Sequence, residues 1–220
     1  MNKPIIWIVI GTRPECIKQA PLYKAISKNK NFSVKLVGTG QHKDLLDLTL
    51  ADYDLSLDYS FQSMLPGQNL AQLSSKVISG FEELVNSYQK PDGIIVQGDT
   101  TTACFSSITG HQLGIEIFHN EAGLRTGDET NPFPEETNRK IIATLASMHF
   151  TPTIGATKNL IKEDISSKDI HLVGNTGIDS LIWALNKSVP SNIESLLLET
   201  REQGLKPCLM TAHRRESAGS

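Results

Sequence analysis

Gly93-Ile94-Ile95-Val96-Gln97-Gly98-Asp99-Thr100-Thr101-Thr102 joins a short run of β-branched residues to a polar turn and then to a helix-opening segment. The run is apolar without alternation, which fits a strand buried on both faces in a parallel sheet covered by helices. The turn places a glycine, an acid and threonines ahead of residues 100–113, which read as a helix. The same unit recurs on either side. Apolar runs at 5–10, 34–37, 115–118, 148–150 and 170–173 alternate with helical patterns at 14–27, 70–88, 134–146 and 156–163. Strand alternating with helix predicts an α/β fold, a doubly wound parallel sheet. Ligands of such sheets bind beyond the carboxyl ends of the strands, so the loops leading into helices carry the functional reading.

Beyond residue 173 the pattern changes. Gly174-Asn175-Thr176-Gly177 is a turn, 178–187 has helical spacing, 193–202 reads as a helix capped by Ser191 or Asn192, and 206–211 reads as one more strand. A lone strand without a successor has nothing to close its sheet. The expected organisation is therefore a complete first domain over 1–174 and only the start of a second over 175–220.

The 220 residues carry 21 Lys plus Arg against 24 Asp plus Glu, a net charge of -3. That balance offers no basic footprint for a long nucleic acid, although a local cluster could hold one small phosphorylated ligand. No run approaches membrane-spanning length. Met1-Asn2-Lys3-Pro4 and the apolar stretch after it lack the features of a signal peptide, so a cytoplasmic protein is expected, with no membrane partner. Three cysteines, none at CxxC spacing, suggest neither a disulfide framework nor a zinc site, and all three read as small buried residues.

In the loops, Gly11-Thr12-Arg13-Pro14-Glu15 puts Arg13 at a helix N-terminus. Arg13 and Lys18 could there join backbone N–H groups in holding an anion, or simply form a solvated basic pair. The loop is neither GxGxxG nor a P-loop, so a nicotinamide dinucleotide has no support. Gln41 and His42 follow the second strand. Asp99 reads either as a site acid or as the helix N-cap. Glu121 comes directly off the 115–118 strand, and Glu135 opens a helix whose dipole favours an acid. Arg139 lies at ion-pair spacing from Glu135. Arg13, Lys18, Asp99, Glu121, Glu135 and Arg139 thus converge on one sheet edge. Acids sharing a cleft can be driven to different pKa values, as acid and base catalysis at neutral pH requires. His213 with Arg214 and Arg215 follows the last predicted strand and suits a diphosphate, or else is a solvated tail.

GTRPE at 11–15, GQH at 40–42, GDTTT at 98–102, EAGLRTGD at 121–128, PFPEETNR at 132–139, GNTGID at 174–179 and TAHRRE at 211–216 together resemble the non-hydrolysing UDP-N-acetylglucosamine 2-epimerases. The resemblance covers essentially the whole chain. It implies a Rossmann-like, glycosyltransferase-B-type N-terminal domain followed by a UDP-binding domain largely missing here. The activity it implies is interconversion of UDP-GlcNAc and UDP-ManNAc through elimination and re-addition of UDP, with no cofactor and no obligatory metal. Asp99, Glu121 and Glu135 are the implied acid/base groups, with His213 assisting at the UDP leaving group. Arg13, Lys18, Gln41, His42, Gln68 and Arg139 are the implied substrate-binding residues, Gln41, Gln68 and Glu135 also standing near an activator site. A homodimer through the first domain is implied. Little or no turnover is expected from the 220 residues alone. The alternatives are a hydrolysing 2-epimerase releasing ManNAc and UDP, and a non-catalytic half-domain that binds a UDP-sugar.

Overall fold

The computed structural model describes residues 3–41 and 43–210, with Lys43 and Asp44 as backbone only. Seven parallel strands form one sheet in the order β3-β2-β1-β4-β5-β6-β7. They are β1 (Ile5–Ile10), β2 (Ser33–Gly38), β3 (Tyr59–Ser60), β4 (Gly93–Gln97), β5 (Glu116–Asn120), β6 (Met148–Thr151) and β7 (Ile170–Leu172). Between them run α1 (Arg13–Ser27), α2 (Lys43–Asp52), α3 (Leu70–Ser87), α4 (Thr101–Gln112), α5 (Glu135–Leu145) and α6 (Ile154–Lys162). The strand order reverses at β1, from which the chain winds outward in both directions. This is the doubly wound α/β arrangement expected from the alternating pattern.

The two faces of β1 explain its unbroken apolarity. Ile6, Ile8 and Ile10 pack with Cys16, Leu46 and Leu50 under α1 and α2. Trp7 and Val9 pack on the opposite side with Phe81, Val85, Cys104 and Ile142 from α3, α4 and α5. Trp7 and Phe81 are both fully buried, at 6.0 Å between ring centroids and edge to face. Burial of a side chain of this kind stabilises by about 1.5–3 kcal/mol. The edge strands are only two and three residues long, which leaves little unpaired backbone for another chain to join.

Two elements differ from the sequence reading within this unit. The α2 helix hides in Leu45, Leu46, Leu48 and Leu50, of which only Leu46 and Leu50, four residues apart, are buried. The β3 strand is too short to show a period. Two residues near the helix starts also take unexpected roles. Thr100, not Asp99, caps α4, its Oγ1 accepting from the Ala103 N–H at 3.0 Å. Of the cysteines, Cys16 and Cys104 are buried and their thiols are pushed up to about 12, mainly by burial, whereas Cys208 is exposed.

The chain separates into two compact units, 1–181 and 182–220. The helix α7 (Thr176–Leu185) starts in the first unit. In the second, α8 (Ser191–Glu202) begins directly after Pro190 with no side-chain cap from Ser191 or Asn192. Residues 206–210, expected to begin a strand, form no ladder. Without a neighbouring strand, their backbone groups have no partner to fix a ladder.

Candidate active site at the strand ends

The turns after β1, β4 and β5 meet at the carboxyl edge of the sheet. Glu121 follows β5 immediately and holds φ = 61°, a left-handed conformation that non-glycine residues adopt chiefly where surrounding contacts fix them. Its carboxylate is the hub of a mesh. Lys18 Nζ lies 2.5 Å from Oε2, and Gln97 Nε2 donates to the same oxygen at 2.5 Å. Asn175 Nδ2, from the turn before α7, donates to Oε1 at 3.3 Å. Gln97 is itself held by Asn120 Nδ2, which donates to Gln97 Oε1 at 2.8 Å. Gly98, ahead of Asp99, holds a positive φ of 65°, and a Cβ added there would stand 3.5 Å from Glu121 Oε2.

The second carboxylate of the mesh belongs to Asp99. Its side chain ion-pairs with Arg139 Nη2, while Asn138 Nδ2 donates to its backbone carbonyl at 2.9 Å. Burial pushes the Asp99 carboxyl above its ordinary value. Arg139 pulls against that rise, and the negative charges of Glu135 and Glu121 add to it. Asp99, Glu121 and Glu135 therefore share one electrostatic environment, as their positions at strand ends and a helix start suggest. In it the Asp99 carboxyl is the one driven upward, with burial as the main cause.

The intrahelical pair expected between Glu135 and Arg139 does not form. Arg139 turns instead to Asp99 and to Glu136, whose Oε2 lies 2.9 Å from Nη1. Glu135 Oε2 is buried with no partner among the described residues. Glu136, which the sequence reading did not single out, is fully buried. It accepts the backbone N–H groups of Thr126 and Gly127 at 3.1 and 3.2 Å as well as Arg139. Burial would raise its pKa, but those amides and Arg139 outweigh it and hold the carboxyl below its ordinary value. The signal available in the sequence was an acid three positions before an Arg on one helix face, indistinguishable from a surface pair.

The turn after β1 is arranged differently from the anion cradle considered above. Glu15, only 2% exposed, fills it: its Oε2 accepts from Gly11 N at 2.9 Å, Thr12 N at 2.7 Å and Thr12 Oγ1 at 2.8 Å. The backbone N–H groups offered to a phosphate are thus already taken by an internal carboxylate. Thr12 and Glu15 form a capping box, whose T-x-x-E signature was readable. Arg13 is exposed, and no hydrogen bond or ion pair of it is found among the described residues. Lys18, by contrast, reaches Glu121.

The remaining residues singled out by sequence lie more peripherally or outside the described chain. Gln41 Oε1 accepts a short hydrogen bond from Thr102 Oγ1. Gln68 staples its own loop, Nε2 donating to Ser63 O at 3.1 Å and Oε1 accepting from Leu65 N at 3.0 Å. His42 and His213 lie outside the described residues. Among the described residues no group of three or more His, Cys, Asp and Glu side chains is arranged to hold a metal ion. No helix is long and apolar enough to cross a membrane, again among the described residues.

His119 stands behind the mesh on β5, fully buried, with Nε2 donating to the Gly98 carbonyl at 2.7 Å. Burial lowers its pKa from 6.5 to about 3, with His149, Arg125 and Arg139 adding to the fall and the Gly98 bond opposing it. Above pH 6.5 the ring is neutral in folded and unfolded chains alike. Below that value the unfolded chain takes a proton that the folded one refuses until about pH 3. Stability is therefore expected to drop by about 1.4 kcal/mol per pH unit across this window from His119. The pKa of buried His149 is lowered as well and adds in the same direction. Urea unfolding at a series of pH values checks this. The His119→Gln chain, which keeps an N–H for Gly98, should show a correspondingly shallower acid slope.

Sequence and fold are both similar to those of known proteins. Residues 24–220 match the family model described as UDP-N-acetylglucosamine 2-epimerase. A UDP-N-acetylglucosamine 2-epimerase of Salmonella typhimurium is 41% identical over 217 residues, covering 96% of this chain and 57% of its own length. The structure of S. aureus MnaA with UDP superposes with a TM-score of 0.87 at 37% identity, over 99% of this chain and 56% of that one. A Neisseria meningitidis UDP-GlcNAc 2-epimerase bound to UDP-GlcNAc gives a TM-score of 0.81 at 34% identity, over 90% and 54%. The chain thus spans somewhat more than half the length of the relatives it matches.

Proposed function

Because the chain belongs to the UDP-N-acetylglucosamine 2-epimerase family, we propose that it carries the proton-transfer half of a site interconverting UDP-GlcNAc and UDP-ManNAc. Its fold is the Rossmann-like, glycosyltransferase-B-type N-terminal fold of that family. The observation that carries the reading is the meeting of Asp99, Glu121 and Glu135 with Lys18 and Arg139 at one sheet edge. A carboxylate of this set removes the C2 proton while the C1–O bond to UDP breaks, leaving 2-acetamidoglucal and UDP. Return of a proton to the opposite face of C2, with UDP re-adding at C1, inverts the centre. Each step of the sequence is redox-neutral, so it requires no nicotinamide. Weakly acidic C2–H needs a positioned base, and the departing diphosphate needs cationic support.

In this reading residues 1–174 form the catalytic domain. Residues 175–220 are a hinge helix and the opening of the UDP-binding domain, where His213 assists the leaving group. Arg13, exposed and unengaged, is free to meet the diphosphate, and Gln41, His42 and Gln68 complete the substrate-binding set of this proposal. Pairing through the first domain, a cytoplasmic setting and service to polysaccharide synthesis belong to the same proposal. The GTRPE and GDTTT blocks favour the non-hydrolysing branch over hydrolysis. Product analysis decides between them. The chain joined to the C-terminal portion of the Salmonella relative should convert UDP-GlcNAc to UDP-ManNAc without free ManNAc. Free ManNAc with UDP as the products would assign the hydrolysing branch instead.

A further inference from the structure

Glu15 bridges two of the three turns that build the site. While Oε2 holds the turn after β1, Oε1 accepts Thr100 Oγ1 at 2.7 Å from the turn after β4. Thr100 in turn caps α4 and follows Asp99 directly, so the chain of bonds runs from the N-terminus of α1 to the peptide that carries the Asp99 carboxylate. The crowding around the bridge leaves it little room to drift. A Cβ added at Gly11 would come within 2.5 Å of Thr39 Oγ1 and 2.7 Å of Thr102 Oγ1. A carboxylate at 2% exposure with four donors is an expensive feature to bury without a task, since burial disfavours its charge.

We propose that Glu15 is a positioning residue: through its bond to Thr100 it fixes the Gly98-Asp99-Thr100 turn and thereby sets the Asp99 carboxylate against Arg139. The same carboxylate closes the α1 N-terminus to the substrate's diphosphate, so phosphate recognition falls to side chains such as Arg13 rather than to the backbone of this turn. The role given to Asp99 rests on the epimerase reading. The test below reads Asp99 itself with no substrate present, so the two fail separately.

In the 13C-labelled 220-residue chain the Asp99 carboxyl resonance is followed against pH, with Arg139, Glu135 and Glu121 as the charged groups that face it. Thr100→Val, which removes the hydroxyl, should move the Asp99 midpoint by at least about half a pH unit, and Thr100→Ser, which restores it, should leave the midpoint within about 0.2 of the parent. Combining Thr100→Val with Glu15→Ala, which removes both carboxylate oxygens, should add nothing further, because each change abolishes the one bridge. An unmoved midpoint in a Thr100→Val chain with native circular dichroism would overturn the proposal. So would a Thr100→Val shift that persists in full on top of Glu15→Ala, because it would then arise from the α4 cap alone. Should Glu15→Ala fail to fold, the Val and Ser pair at Thr100 decides.

Discussion

Replacing Glu121 with Gln is expected to slow C2 proton exchange on UDP-GlcNAc by about 10²–10⁴-fold, the usual contribution of a positioned acid or base. The carboxamide keeps the shape of the side chain and can still accept the Gln97 amide, but it cannot take or give the proton. Lys18, which meets the same oxygen, loses the opposing charge, yet its side chain is 31% exposed and can be solvated, so the stability cost should stay near or below ~1 kcal/mol. The effect is therefore read on chemistry rather than folding. Asp99→Asn should behave alike, since Asp99 is the carboxyl that burial and its neighbours push upward. NMR of the C2 position in deuterated water, on the chain joined to the C-terminal portion of a relative, gives the rate directly. A fall of less than about tenfold would remove Glu121 from proton transfer.

The largest structural effect is expected at Glu136. Its truncation to Ala leaves Arg139 Nη1 and the N–H groups of Thr126 and Gly127 without their acceptor in a fully buried position. Breaking a buried charge network by removing one member costs about 3–5 kcal/mol. For a chain of this size that corresponds to a fall in Tm of roughly 6–20 °C. Thermal unfolding followed by circular dichroism measures it, and a fall below ~2 °C would show that the 126–127 turn does not depend on Glu136.

The fold was readable because β1 and β4 are buried on both sides, and two-sided burial writes itself as unbroken apolarity. Shorter or more ambiguous segments were not. The leucines of α2 lie on exposed and buried faces together, β3 spans two residues, and 206–210 has strand composition but no partner strand among the described residues. At the site, the convergence of acids and bases followed from topology alone, because every strand of a parallel sheet delivers its following turn to one edge. The pairing within the cluster did not follow. Helical spacing offered Glu135 to Arg139, but Asp99 on a neighbouring turn and Glu136 lay better placed, and Glu135 was left without a partner among the described residues. Contacts such as Gln97 and Asn175 on Glu121 join residues 24 and 54 positions apart, a separation at which local pattern carries no information. Glu15 was the readable residue passed over, since T-x-x-E announces a capping box but says nothing of the second oxygen reaching Thr100.

The most direct test of the account is deuterium incorporation at C2 of UDP-GlcNAc, measured by proton NMR in deuterated water. The chain alone and the chain joined to the C-terminal portion of the Salmonella relative are compared side by side. The account predicts no exchange by the chain alone, and C2 deuterium together with UDP-ManNAc from the joined protein. A joined protein that folds and binds UDP-GlcNAc but leaves the C2 proton in place would contradict it.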